Sequence, residues 1–392
     1  MNSEKPTNYR WLILFASIYA YVSYAFSLMG VPPLMTQIIK EFNVGYAQAG
    51  LLMSMPVIPG ILASLHIGMF VDRNGAKVIG SVAAVLVMLG SIIPAIGSSF
   101  TVALIGRLIL GGGGAIIAIA TPAIIPDWFT HKELGKAMGI YTAGMPIATT
   151  ISFLLATLTS TYGWRYQFFI STALAIANIV IFSLIVKRGP MSENKTDENK
   201  PRISLGQTLK NIEIWKVGIL WFLFACAVIS FTTWAPSLFV EFKELSPAYT
   251  NFIMSAFWLI QIPGCLVFGW ISDRLGKRKP LMLIGCVSMI ALVISLLYTS
   301  NPMLVALLTV LYGLLVTMIP PNVMASPPEI LGPAAAGIGF GILSICMSAG
   351  TGIGPPLVGL SLDLTNSPII SLIEIALFPA IGLIVTYILK MK

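Results

Sequence analysis

The chain has 392 residues, of which 57% are hydrophobic and only 10% charged, and its mean hydropathy is +0.90. A soluble protein of this length carries about 25% charged residues, so most of this surface must face something other than water. The formal charge of +8 would suggest a nucleic-acid partner only on a soluble basic domain; here the basic residues gather in alternate loops between apolar runs, which excludes that reading.

Twelve runs are each about the 20 residues needed to cross ~30 Å of hydrocarbon as a helix. They fall near 11–31, 46–70, 78–97, 100–124, 137–160 and 164–186, then near 214–239, 248–271, 281–299, 302–326, 335–360 and 367–389. Helices and closed barrels are the structures that satisfy the backbone in lipid, and these runs are too long for barrel strands. The first is longer than a signal-peptide core and lacks a cleavage site, so it reads as a retained helix. The expectation is an all-α membrane protein of twelve spans in two six-helix bundles, 11–186 and 214–389. Residues 1–10 and 390–392 are then cytoplasmic ends, and 187–213 a polar cytoplasmic linker. On this model the basic residues lie on one side except Lys40, Arg165 and Lys243, which places both termini in the cytoplasm of a cell (inner or plasma) membrane. Cys226, Cys265, Cys286 and Cys346 lie in apolar spans without metal-ligand spacing and read as small core residues.

After the second run comes Gly68-x3-Asp72-Arg73-x-Gly75-x-Lys77. It returns 201 residues later, from Asp72 to Asp273, as Gly269-x3-Asp273-Arg274-x-Gly276-x-Arg278. Lys40-Glu41 and Tyr46 recur as Lys243-Glu244 and Tyr249, and Val102-Ala103-Leu104 as Val305-Ala306-Leu307. Two halves of like topology follow, with a site expected between them near the midplane.

With twelve spans and a central linker, the doubled Gly-x3-Asp-Arg-x-Gly loop resembles the major facilitator superfamily over essentially the whole chain. The resemblance implies that the two loops are conformational latches. Asp72 would cap the N-terminus of span 11, and Asp273 that of span 5. An anion there gains about 0.3–1 kcal/mol, up to ~2 when partly buried, a size suited to a latch that opens in every cycle. Gly68 and Gly269 would permit close helix approach, and Arg73, Lys77, Arg274 and Arg278 would hold the loop or meet headgroups.

Arg107 is the most informative charge. It lies within the fourth span, before the run Gly111–Gly114, and a charge there costs about 2.5–3.5 kcal/mol. Two readings stay open: a bidentate contact to an anionic substrate, or hydrogen bonds to carbonyls of a neighbouring span. The glycine run leaves room for a partner or a ligand. The first six spans hold no Asp or Glu, so the counter-charge could come from the substrate. Tyr21 and Tyr24 share a helical face with Ser17. With Tyr141, Trp258, Gln261 and Asn322 they are candidates to line the pocket, and a break is expected at Pro320-Pro321. His66 and Glu374 are candidate proton relays.

No His-Glu-x-x-His, Gly-x-Ser-x-Gly or phosphate-binding loop is present, so neither an enzyme nor an ATP-driven pump is expected. No cofactor or metal is implied. The reading is a secondary transporter, in uniport, exchange or proton symport, for a small organic anion or zwitterion. Its expected surroundings are the lipid bilayer, its substrate and candidate coupling protons, and it is expected to act as a monomer. A multidrug/proton antiporter is the alternative, and a non-transporting receptor a remote one. The aromatic, one-signed lining resembles the oxalate/monocarboxylate and cyanate/nitroimidazole-type branches.

Overall fold

The computed structural model describes residues 8–62, 76–187, 210–332 and 335–390, and all the regular structure among them is helical. Sixteen α-helices have both ends described, besides a helical stretch at 58–62. In the first half they are α1 (Tyr9–Met29), α2 (Met35–Phe42), α3 (Tyr46–Ser54), α4 (Ala76–Ile96), α5 (Phe100–Ile124), α6 (His131–Thr142), α7 (Gly144–Tyr162) and α8 (Arg165–Ile185). In the second they are α9 (Ile212–Phe242), α10 (Pro247–Leu259), α11 (Gln261–Leu275), α12 (Lys279–Ser295), α13 (Pro302–Leu315), α14 (Pro320–Leu331), α15 (Ala336–Thr365) and α16 (Pro368–Ile388). Taken singly or as continuous pairs, they make 11 segments long and apolar enough to cross a membrane, as a multi-pass membrane protein requires. The second expected span is described only over Tyr46–Leu62; the rest of it, with Gly68, Asp72, Arg73, Gly75 and His66, lies outside the described residues.

Proline dictates where spans break. It has no N–H to give the carbonyl four residues back. α6 stops at Thr142, the residue whose carbonyl would need Pro146, and α10 stops at Leu259, whose carbonyl would need Pro263. The expected break before Pro320 is present as a 3-10 turn over Val316–Met318.

The contacts divide the chain into two compact units, one of residues 1–31 and 55–200, the other of 32–54 and 201–392. In the first unit α4 lies along α5, with Gly90 and Gly106 allowing close contact to Leu110 and Pro94. The second unit is organised on α9. Its apolar residues run all round, the pattern of a buried helix, and Trp234, Phe231 and Phe239 are fully enclosed. Gly350 and Gly354 of α15 bring that helix against the α9 backbone. Two of the four cysteines, Cys226 and Cys286, are buried as core residues should be; Cys265 and Cys346 are only half-buried.

The three basic residues that break the charge bias have a local explanation. The last carbonyls of a helix lack partners and carry partial negative charge. Arg165 donates from Nη2 to Gly97 O, 2.9 Å away just past the end of α4. Lys243 Nζ donates to Leu296 O at 2.7 Å and Thr299 O at 2.6 Å, where α12 runs out. Lys40 sits in the last turn of α2. On the other helix ends Lys279 Nζ does the same for α16, reaching Tyr387 O at 2.7 Å and Leu389 O at 2.9 Å.

Replacing Lys243 by Met is therefore expected to cost about 1–2 kcal/mol and lower the unfolding temperature of the purified protein by a few degrees. Lys277→Met, in an exposed loop, should leave it unchanged in the same thermal melt.

Candidate functional site

In the first unit the candidate residues converge around the end of α1. Pro32 and Pro33 follow that helix, so the carbonyls of Leu28 and Met29 have no N–H four residues on. Arg107 reaches across from α5 to this place. Its Nη1 donates to Ser27 O at 2.8 Å and its Nη2 to Leu28 O at 2.9 Å. The fork of the guanidinium matches two successive carbonyls as it would two carboxylate oxygens, and its charge meets the negative end of the α1 dipole. Ser91 of α4 adds a bond to Ser27 Oγ at 3.1 Å. Arg107 is 0% exposed. Of the two readings left open for it, the contact to span 1 carbonyls is realised.

The room beside the glycine run is taken by the protein itself. A Cβ at Gly111 would collide with the Pro56 backbone, one at Gly113 would lie 2.7 Å from Ala83 O, and one at Gly114 would enter the Tyr24 ring. Tyr24 is thereby held within electrostatic reach of Arg107. Tyr21 stacks on Tyr141 with centroids 5.0 Å apart, and Tyr141 shares a 2.7 Å hydroxyl hydrogen bond with Thr121. Tyr141 is buried, whereas Tyr21 and Tyr24 keep part of their surface open. Arg107, Tyr24, Tyr21 and Tyr141 thus form one continuous seam on α1, α5 and α6.

In the second unit Trp258 joins an aromatic cluster, edge-on to Phe257 at 5.8 Å; Phe257 lies 5.7 Å from Tyr312, which is 4.7 Å from Phe231. Among the described residues the buried Trp258 Nε1, Tyr312 Oη and Thr309 Oγ1 find no hydrogen-bond partner. Buried polar groups are normally satisfied, so this cluster, like Ser230, Thr232, Thr250 and Asn251 of the same unit, holds polar atoms available to a polar ligand or water. Tyr312 and Thr309 were not anticipated; a tyrosine and a threonine one turn apart in the apolar tenth span was the available signal. Gln261 is half-buried beside them, its Nε2 donating to Phe257 O at 3.3 Å.

Asn322 is elsewhere. Expected in the pocket lining, it is instead 0% exposed with both ends of its amide engaged, Nδ2 to Met318 O at 2.7 Å and Oδ1 from the Ser272 hydroxyl. It frames the second loop motif. There Gly276 closes α11 at φ +61°, a left-handed position that favours glycine, its amide returning to Ser272 O at 3.0 Å. Gly269, expected to permit close approach, has only ordinary contact, with Pro321 at 3.7 Å. Arg278 bonds the exposed Asp273 at 2.8 Å and Glu329 of α14 at 3.0 Å. Burial alone would lower the Arg278 guanidinium's hold on its proton; the two carboxylates outweigh it and raise that hold above the ordinary value. Arg274 lies over the Trp270 ring at 5.1 Å. Ser272, Asp273, Gly276, Arg278 and Glu329 line a polar cavity of about 630 Å³. Of the first motif copy only Lys77 is described; it is exposed, at the start of α4. Glu374, on α16, is half-buried beside Ser361, with Oε2 unpartnered.

The family model described as Major Facilitator Superfamily matches residues 17–355 and 243–390. A nitrite extrusion protein of Bacillus subtilis is 23% identical over 65% of this chain and 63% of its own length. A probable nitrate/nitrite antiporter NarK1 of Thermus thermophilus is 22% identical over 71% and 64%. The chain thus spans under two thirds of the length of these two relatives. The lysosomal dipeptide transporter MFSD1 of Danio rerio is 24% identical over 76% of this chain and 69% of that one. These are not the oxalate/monocarboxylate or cyanate/nitroimidazole-type branches that the aromatic lining suggested. Among solved structures, a bacterial homologue of the human lysosomal transporter Spinster, inward-facing and occupied, superposes with a TM-score of 0.83 at 16% identity, over 98% of this chain and 97% of that one.

Replacing Arg107 by Ala strands two buried carbonyls and is expected to cost about 2–4 kcal/mol. Lys restores the charge and N–H donors without the planar fork. The order wild type, Lys, Ala in unfolding temperature checks it; an Ala variant as stable as wild type would contradict it.

Proposed function

We propose a function from one premise: the chain belongs to the major facilitator superfamily. It is a secondary transporter that moves a small solute across the membrane by alternating access of its two sequence halves, residues 11–186 and 214–389, joined by 187–213. The termini are cytoplasmic: Arg165 and Lys243, two of the three exceptions to the charge bias, are spent on helix ends, so the bias that remains is steeper than a raw count of charges.

The solute is a small anion or zwitterion. The observation that carries this is the seam around Arg107, a fixed positive charge inside a span with the partly open Tyr24 beside it. Arg107 sets the positive potential and the position of α1 from behind, and the tyrosines present the contact surface. Low dielectric lets a charge act over such a distance far more strongly than in water. The names of the relatives agree in kind, since nitrate and nitrite are small anions and dipeptides are zwitterions. Trp258, Gln261 and the unpartnered groups of Tyr312 and Thr309 offer hydrogen bonds from the second half. Asp273 and Arg278 brace the cytoplasmic loop, and Glu374 is the carboxylate placed to take up a coupling proton.

Counterflow in proteoliposomes tests this. Labelled nitrite, nitrate, a neutral dipeptide and small carboxylates are each offered against the same unlabelled solute inside. At least one should show trans-stimulated uptake, and Tyr24→Ala should weaken it at least several-fold without lowering the unfolding temperature as Arg107→Ala does. Exchange of cationic dyes with none of these solutes would refute the anion reading.

A further inference from the structure

The segment 32–54 belongs to the first half by sequence and to the second unit by contact. Its helix α3 has an unusual start. The N-cap position is Gly45, which has no side chain to receive the first free amides. The repeat-related helix α10 does have one, Ser246 Oγ accepting from the Tyr249 amide at 3.3 Å. For α3 the acceptor comes from 316 to 317 residues away: Asp363 Oδ1 accepts from the Tyr46 amide at 2.7 Å and Oδ2 from the Ala47 amide at 2.8 Å. A Cβ at Gly45 would lie 2.7 Å from Oδ2, so the glycine leaves the carboxylate its place.

Asp363 is badly placed for its own helix. It sits in the last turn of α15, which ends at Thr365, where a negative charge opposes the helix dipole. The positive N-terminus of α3 docked on it relieves that opposition. The surrounding contacts share this character. Tyr46 Oη donates to Glu241 Oε2 at 2.6 Å and Thr36 Oγ1 to Glu241 Oε1 at 3.2 Å. The Tyr46 ring meets Trp234 edge-on at 5.6 Å. Further along, the Ser54 hydroxyl donates to Gly352 O, the carbonyl left without an amide by Pro356. Asp363 and Glu241 are exposed, so water can replace either bond.

We propose that Asp363 is a removable cap: with the Tyr46–Glu241 bond it forms a latch that holds residues 32–54 on the second unit and releases them once in each transport cycle. The release part rests on the transporter reading. The latch is the counterpart, on the opposite side of the membrane, of the loop motifs. It uses the same interaction of a carboxylate with a helix N-terminus.

The test needs no solute. In a background with the four native cysteines replaced by Ala, Ala49→Cys is a reporter on α3, because Ala49 is fully buried. Its reaction with a membrane-impermeant maleimide is measured with Asp363 intact, with Asp363→Ala and with Asp363→Asn, alongside hydrogen exchange of the Tyr46 and Ala47 amides. The loss of a cap predicts a rise of roughly fivefold or more in both readouts for Ala, and less for Asn, which keeps one acceptor oxygen. Tyr46→Phe, which removes only the Glu241 bond, should raise labelling more modestly, and serves if the Asp363 variants fail to fold. Faster amide exchange with unchanged labelling would make Asp363 a fixed cap and overturn the latch; so would unchanged exchange. If labelling rises while no solute shows counterflow, the removable cap stands and its release in a transport cycle falls with the transporter reading; counterflow with unchanged labelling overturns the cap as a latch and leaves the transporter reading standing.

Discussion

A helix end, or a proline within a helix, leaves backbone groups that hydrocarbon cannot solvate, and the fold depends on how these are answered. Each such group costs several kcal/mol if left open in lipid. Arg107 answers the end of α1, Arg165 that of α4, Lys243 that of α12 and Lys279 that of α16. Each cation gains twice, from hydrogen bonds to carbonyls and from the dipole behind them. The few charges of a chain that is 10% charged are concentrated where the backbone most needs them.

Proline works on the same groups from the other side. Pro146, Pro263 and Pro320 divide spans into shorter helices. Pro355 and Pro356 leave α15 continuous but strand carbonyls along it, and the Ser54 hydroxyl takes one of them at Gly352. The Pro355 carbonyl in turn accepts from Trp234 Nε1 at 2.8 Å. Helices α3, α9 and α15 are therefore joined by bonds that are specific in direction. Tight glycine contacts at Gly50 against Pro356 and Gly359 against Tyr46 supply the fit around them.

The candidate residues sort by whether their polar atoms are already used. Arg107 and Asn322, the two most polar candidates within the spans, are enclosed and bonded to the protein. Trp258 and Tyr312 are enclosed and unsatisfied. Tyr21 and Tyr24 are in part open. Under the proposed function the first pair shapes the frame and its potential, and the others offer the contacts. A charge inside a membrane span is thus a good sign of importance but not of direct contact, because the backbone competes for it on equal terms with any ligand.

Hydrophobic run length and the doubled loop motif were enough to read a helical membrane protein of the superfamily, since lipid permits little else at such lengths and the motif is local in sequence. The break at Pro320 was legible for the same reason, as proline acts on its own helix. The partners were not. Nothing near Arg107 in sequence points to Ser27 and Leu28, 80 and 79 residues earlier. Nothing near Gly45 points to Asp363, or near Asn322 to Ser272. Which groups are left wanting is a property of the chain's local order. Which distant side chain supplies them is decided only by packing, because that depends on which helices come to lie side by side.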